Sequence, residues 1–207
     1  IRLSLVGSEM CIRDRSHTYR WHGVRVPNVT SILAPLLDYS RVQADALERA
    51  RQEGTAIHKM VELDCAGDLD TASLPEWMLP VYRAWQQFRE ASGFVPILNE
   101  YQGFNPSFGY AGTLDIVCEV PKLVGWRGPV LLDVKRSLFA GPVIGLQLAA
   151  YQRLLMADKA MPLPMRRGAL RLSPVGKFQL EPFDDPADFS TFLALLTVKR
   201  WRERHSI

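Results

Sequence analysis

The sequence predicts an α/β fold in which helices flank a mixed central β-sheet. Three observations carry that reading. Between residues 96 and 137, three strand-like runs are joined by short Pro- and Gly-bearing loops, the pattern of an antiparallel meander. Residues 41–66 and 74–92 repeat their apolar positions at the helical period of about 3.6 residues. After residue 141, a helical run, two more strand-like runs and a last helical run follow one another. The 207 residues suffice for one substantial core, and 47% hydrophobic with 23% charged residues is ordinary globular composition.

Taken in order, residues 4–15 resemble translated sequencing-adapter read-through. With no sustained apolar core and no small-residue cleavage site, they are not a signal peptide. Residues 1–15 are therefore set apart as a non-native or disordered extension, and 16–207 are read as a single domain. Residues 19–27 form a short hairpin turning at His22-Gly23. Asn28 caps a short helix that ends near Pro35. In the helix over 41–66, Ala46, Leu47, Ala50, Ile57, Val61 and Leu63 set the apolar stripe. Gly54 interrupts it at a cost of roughly 1 kcal/mol relative to Ala, which points to another backbone, or DNA, coming close there. His58 lies one turn further on. In the helix over 74–92, Trp77, Leu79, Tyr82, Trp85 and Phe88 are read as apolar contacts, and Ser92-Gly93 stops it.

The strands follow. The first runs over 97–104, the second over 110–120 and the third over 129–137, the last expected to be the most deeply buried. Gly141-Pro142 opens a helix reaching about Asp158, with Gln147 and Tyr151 on one face. Strands over 167–172 and 177–183 precede a final helix that ends in a basic cluster, which suits a helix C-terminus as it stands.

Composition narrows the function. A formal charge of +3 is too small to imply a nucleic-acid partner unaided, so any basic surface has to come from local clustering. No uninterrupted apolar run is long enough to span a bilayer, so no membrane partner is expected. Three cysteines, Cys11, Cys65 and Cys118, form neither a disulfide framework nor a set of four thiolates for an iron–sulfur cluster. A reducing cytoplasm is expected.

The chemistry concentrates at Asp133-Val134-Lys135. Residues two apart on a strand share a face, so Asp133 and Lys135 point together. If the second and third strands are neighbours, Asp115 approaches Asp133. Two carboxylates and an ammonium make a poor core but a good site for a divalent metal and a developing negative charge.

Four motifs in order, Gly54-x-x-x-His58, Gly112-Thr113-x-Asp115, Asp133-Val134-Lys135 and Gln147-x-x-x-Tyr151, resemble the PD-(D/E)XK nucleases of the RecB-like branch, which includes small phage-type exonucleases. Residues 24–33 also resemble the opening of its stand-alone members. The resemblance implies a restriction-endonuclease-like core and a DNA exonuclease acting in recombination or repair, in the cytoplasm of a bacterial or phage-infected cell. It implies DNA as substrate, with a single-strand annealing or recombination protein as a further partner. It implies Mg²⁺, with Mn²⁺ as a substitute, held by Asp115, Asp133, the Val134 main-chain carbonyl and His58, a donor set suited to a hard cation. Glu100 would orient the site or assist a second metal. Lys135 would position the attacking water, help deprotonate it or stabilise the transition state. Gln147 and Tyr151 would touch a phosphate or base. Relatives often carry a small hydroxyl residue directly after the lysine; here Arg136 stands there, then Ser137, and Arg136 is expected to point away from Lys135 and to contact DNA backbone. Arg166, Arg167 and Lys177 are further candidates for phosphate contacts. A catalytically silent DNA-binding scaffold and an RNA-directed metal nuclease are the alternatives.

Overall fold

A computed structural model of the chain describes residues 10–13, 18–136, 141–157, 161 and 165–207. Ser137, the expected end of the third strand, and Asp158, the expected end of the helix after Gly141, lie outside the described residues. Two sheets are present. The smaller is antiparallel: β1 (Met10–Arg13), β2 (Thr18–Trp21) and β3 (Val24–Val26). The residues set apart as an extension therefore contribute one described strand, which pairs with β2 from Met10↔Trp21 to Arg13↔Thr18. His22 and Gly23 both have positive φ, 47° and 78°, as a two-residue hairpin turn whose twist matches its strands requires.

Asn28 then caps α1 (Val29–Leu33), its side chain accepting a hydrogen bond from the Ser31 N–H at 2.7 Å. A 3-10 turn over Ala34–Leu36 and an irregular connector lead to α2 (Ala44–Ala66). This helix runs unbroken through Gly54. Among the described residues, none comes within 4 Å of a Cβ placed there, contrary to one of the two expectations for that glycine.

The second helix starts later than expected. Residues 71–73 and 76–78 form 3-10 turns, and α3 spans Leu79–Ser92. Pro75 and Pro80 lack the N–H that an earlier helix would need, whereas Pro80 is tolerated in the first turn. Trp85 and Phe88 are fully buried as expected, but Trp77, displaced from the helical stripe, is 39% exposed.

The main sheet has the order β4 (Val95–Asn105), β5 (Tyr110–Glu119), β6 (Val130–Lys135), β7 (Arg166–Leu172), β8 (Phe178–Pro182). Strands β4, β5 and β6 form the antiparallel meander. β6 and β7 are parallel, joined through α4 (Val143–Ala157), and β8 returns antiparallel. The last helix is α5 (Asp188–His205). The chain is thus α/β, with a five-stranded mixed sheet flanked by helices. Among the described residues, no helix is long and apolar enough to cross a membrane.

Each face of the sheet has its own core. Helices α2 and α3 cover Ile116, Cys118, Val130, Leu132 and Val134. Helices α1, α4 and α5 cover Tyr110, Leu114, Val117 and Leu131. The fit on the second face is tight at Gly112, where a Cβ would lie 2.7 Å from Tyr151 Cε1 and 3.1 Å from Val29 Cγ2. Gly112→Ala is therefore expected to destabilise the fold by about 1–3 kcal/mol, the usual cost of overpacking a core, read as a lower urea midpoint with unchanged slope. An unchanged midpoint would mean that α4 does not hold Tyr151 against β5.

Candidate metal centre

The site begins with a shared irregularity in β4 and β5. Leu98 and Tyr101 both pack on the α1–α4–α5 core, and so do Leu114 and Val117. Residues three apart on a regular strand point to opposite faces. The breaks coincide, since Leu98 pairs with Val117 and Tyr101 with Leu114. Between them lie Glu100 and Asp115, opposite each other. Glu100 takes the strain, with a left-handed φ of 48°. That conformation costs a non-glycine residue on the order of 1–3 kcal/mol and persists only where its surroundings hold it. Next to it, Asn99 Nδ2 donates to the Glu62 carbonyl of α2 at 3.3 Å, tying β4 to that helix.

β5 parts from β6 at the same level. Their pairing runs from Cys118↔Val130 to Ile116↔Leu132, while β6 stays paired with β7 through Lys135↔Arg171. The Asp115 carboxylate enters the gap, where its Oδ2 accepts the Val134 N–H at 2.7 Å. A strand residue presents its N–H and C=O to the same side, so the Val134 carbonyl faces β5 as well.

Helix α2 supplies His58. Its Nδ1 lies 3.3 Å from Asp115 Oδ1 and 3.8 Å from Glu100 Oε1. His58, Glu100 and Asp115 each offer a donor atom within 4.8 Å of the other two, a spacing that one cation could bridge. Asp133 stands beside this trio. Lys135 Nζ is 2.8 Å from Asp133 Oδ2, as their shared strand face requires. Both Asp133 oxygens are buried; Oδ2 is met by the Lys135 ammonium, and Oδ1 has no hydrogen-bond partner among the described residues. Buried carboxylate oxygens are rarely left so, and an unmet ion is one explanation. His58, Glu100 and Asp115 therefore offer a hard divalent cation two carboxylates and an imidazole, with the Asp133 carboxylate beside them.

The electrostatics agree with that crowding. Asp115 pushes the His58 pKa up to about 10, against the opposing effect of burial. Burial alone would raise Asp115, but His58, Lys135 and the Val134 N–H together hold it below the ordinary carboxylate value. Asp133 goes the other way: burial raises it, and Lys135 offsets this only in part. Burial also raises Glu100. Lys135, despite burial, is held above its usual value by Asp133 and Asp115.

The opposite face is closed by α4. Gln147 Nε2 donates to the Tyr151 hydroxyl at 3.2 Å, and the buried Tyr151 phenol is raised well above its ordinary value by burial, with Asp115 and Asp133 adding to it. The Tyr19 hydroxyl meets Thr113 Oγ1 at 2.7 Å, linking the small sheet to the Gly112-Thr113-x-Asp115 run.

Several basic residues have other partners than those expected. Arg136 does point away from Lys135, but its guanidinium is ion-paired with Glu53 of α2 and lies over Trp77. Arg166 and Arg167 pair with Val130 and Leu131, at the far end of the sheet from Lys135. Arg167 is buried against Asp188 at 3.1 Å, and Arg166 bonds Asp184 and the Gly125 carbonyl, so neither serves this site. Lys177 is exposed in the β7–β8 turn. Glu53 did not stand out in the sequence, while Trp77 was read only as an apolar helix contact and Thr113 only as a member of the Gly112-Thr113-x-Asp115 run. One signal for the irregularity was there: apolar Leu98/Tyr101 and Leu114/Val117 at a spacing of three, inside runs that otherwise read as strands.

No protein-family model matches the chain, and no curated protein does.

His58 gives this cluster a pH dependence. Its pKa is raised in the folded state, so the imidazolium stabilises the metal-free fold fully below about pH 6.5, and that contribution is lost as pH climbs through about 10. In EDTA, the wild type is expected to lose more denaturant stability across that window than His58→Gln. Parallel loss in the two proteins would contradict the charged state of His58.

Proposed function

We propose that the chain is a divalent-metal-dependent DNA nuclease with the restriction-endonuclease-like core of the PD-(D/E)XK superfamily, closest in type to the RecB-like exonucleases. One observation carries the reading. Asp115, Asp133, Lys135, His58 and Glu100 converge where β4, β5 and β6 lose regular pairing, and the buried Asp133 Oδ1 has no hydrogen-bond partner among the described residues. In this reading Asp115, Asp133, His58 and the Val134 carbonyl hold Mg²⁺ or Mn²⁺, with Glu100 beside them. When bound, the cation supplies a positive charge that acidifies the attacking water and offsets charge on the scissile phosphate.

The chain's own residues do the rest. The raised pKa of Lys135 keeps its ammonium charged at neutral pH, so it stabilises negative charge on the phosphate and orients water instead of taking a proton. Gln147 and Tyr151 form the wall on the α4 side, where the phenol stays neutral and can donate to a phosphate oxygen. DNA-end processing in recombination or repair, beside a strand-annealing partner, is the corresponding setting.

The test is digestion of end-labelled linear duplex, single-stranded and closed circular DNA with Mg²⁺, Mn²⁺ or EDTA. Metal-dependent loss of linear substrates with circles spared is expected. Asp133→Ala should lower the rate at least about a thousand-fold while keeping its thermal transition. Undiminished cleavage by folded Asp133→Ala, or cleavage persisting in EDTA, would contradict the assignment. Cleavage of RNA alone would move it to the RNA-directed nucleases.

A further inference from the structure

Helix α5 departs from the pattern of a surface helix. Its inner side is settled: Phe192 and Leu196 are buried, and Phe189, Leu193 and Leu195 pack against the same core. Its outer side is exposed, yet from Phe189 to Val198, about three turns, the sequence holds no charged residue. Val198 is 54% and Trp201 47% exposed, and Ser190, Thr191, Ala194 and Thr197 lie around them in solvent. A surface helix normally turns charges to water, as α2 does with Glu48, Arg49, Arg51 and Lys59. A helix uncharged all round over that length is the pattern of one covered on both sides. Ala194, Val198, Trp201 and His205 follow one another four, three and four residues apart, the spacing of a helix-packing seam.

The charges of this segment gather at its two ends, with opposite sign. Asp184 and Asp185 precede the helix, and both are exposed. Asp184 meets Arg166 at 3.2 Å, and Asp185 Oδ1 accepts the Ala187 N–H at 2.8 Å. Asp188 is turned inward to Arg167. After Val198 come Lys199, Arg200, Arg202, Glu203 and Arg204, a net positive group. Within it Lys199 pairs with Glu203, Arg200 donates to the Phe108 and Gly109 carbonyls, and Arg202 donates to the Ile207 carbonyl.

We propose that the outer face of α5 is the seam of a two-fold homodimer, in which α5 of a second copy lies antiparallel across it. Charge complementarity selects this occupant. A parallel copy would set basic end on basic end and Trp201 against Trp201. The antiparallel copy sets the basic end of each helix beside the aspartates before the other. It also lays the bulky Val198 and Trp201 of each copy over the small Ser190, Thr191 and Ala194 of the other, and it opposes the two helix dipoles favourably. Such a contact is self-complementary, as two-fold symmetry requires. None of the residues placed at the metal centre belongs to α5, so the dimer stands or falls independently of the nuclease reading.

The test is sedimentation equilibrium of the full chain from about 1 to about 200 µM, in about 50 and about 500 mM NaCl. One helix face lies at the low end of specific interface sizes, so a dimer with a micromolar dissociation constant is expected. Trp201→Ala should weaken it about ten-fold, and Ala194→Arg should leave a monomer over the whole range. Both side chains are exposed, so each variant should keep its far-UV circular dichroism. Asp185→Asn, which keeps the acceptor for the Ala187 N–H but removes the charge, should weaken the dimer about three-fold at low salt and less at high salt. The wild-type dimer should weaken as salt rises. A wild type that is monomeric throughout, a dimer untouched by Trp201→Ala and Ala194→Arg, or one that tightens with salt would overturn the proposal.

Discussion

Asp115 is a buried carboxylate held between a backbone N–H and an imidazole, and the geometry around it follows from that. Its Oδ2 occupies the Val134 N–H, a donor that continued pairing of β5 with β6 would bring under the sheet's own hydrogen bonding. Its Oδ1 faces His58 of α2. One side chain thus joins the parted strands to the helix above them. An isolated charge there would be strongly disfavoured, so the pairing with His58 and Lys135 is a condition of its ionised state.

The two faces of the sheet contribute differently. From the α2 side come His58 and, further along, Glu53, which fixes Arg136. From the α4 side come Gln147 and Tyr151, brought close because residue 112 has no Cβ. The alternation along β6 distributes its residues accordingly: Val130, Leu132 and Val134 fill one core, while Asp133 and Lys135 follow Leu131 toward the other face. The strand is at once the most deeply buried part of the sheet and the carrier of its charges. Such charges are retained in a core where they have a use beyond stability, since apolar replacements are often no less stable. The strained backbone at Glu100 points the same way.

Much of this was legible from local rules. The His22-Gly23 turn, the Asn28 cap and the three-stranded meander follow from turn, cap and period preferences, and the strand period alone places Asp133 and Lys135 together. What escaped was set by tertiary context. Two prolines delayed α3 and left Trp77 in solvent. Gly54 looked like a point of close approach, yet none of the other described residues approaches it. Arg136 looked available, yet Glu53, distant in sequence, neutralises it. Arg166 and Arg167 looked like phosphate contacts until the parallel register of β7 placed them at the wrong end of the sheet. The paired breaks at Leu98/Tyr101 and Leu114/Val117 carried information about the site, but a single pair three apart reads as noise until the register shows that both fall at one level.

The central claim is that this irregular junction holds a divalent cation. Titration of Mn²⁺ into metal-free protein, followed by electron paramagnetic resonance, tests it without reference to any substrate. The account predicts saturable binding by wild type, loss of that binding in Asp115→Ala, and weaker binding in Glu100→Ala and His58→Gln. A wild type that binds no Mn²⁺, or an Asp115→Ala variant that binds it as tightly as wild type, would contradict the account.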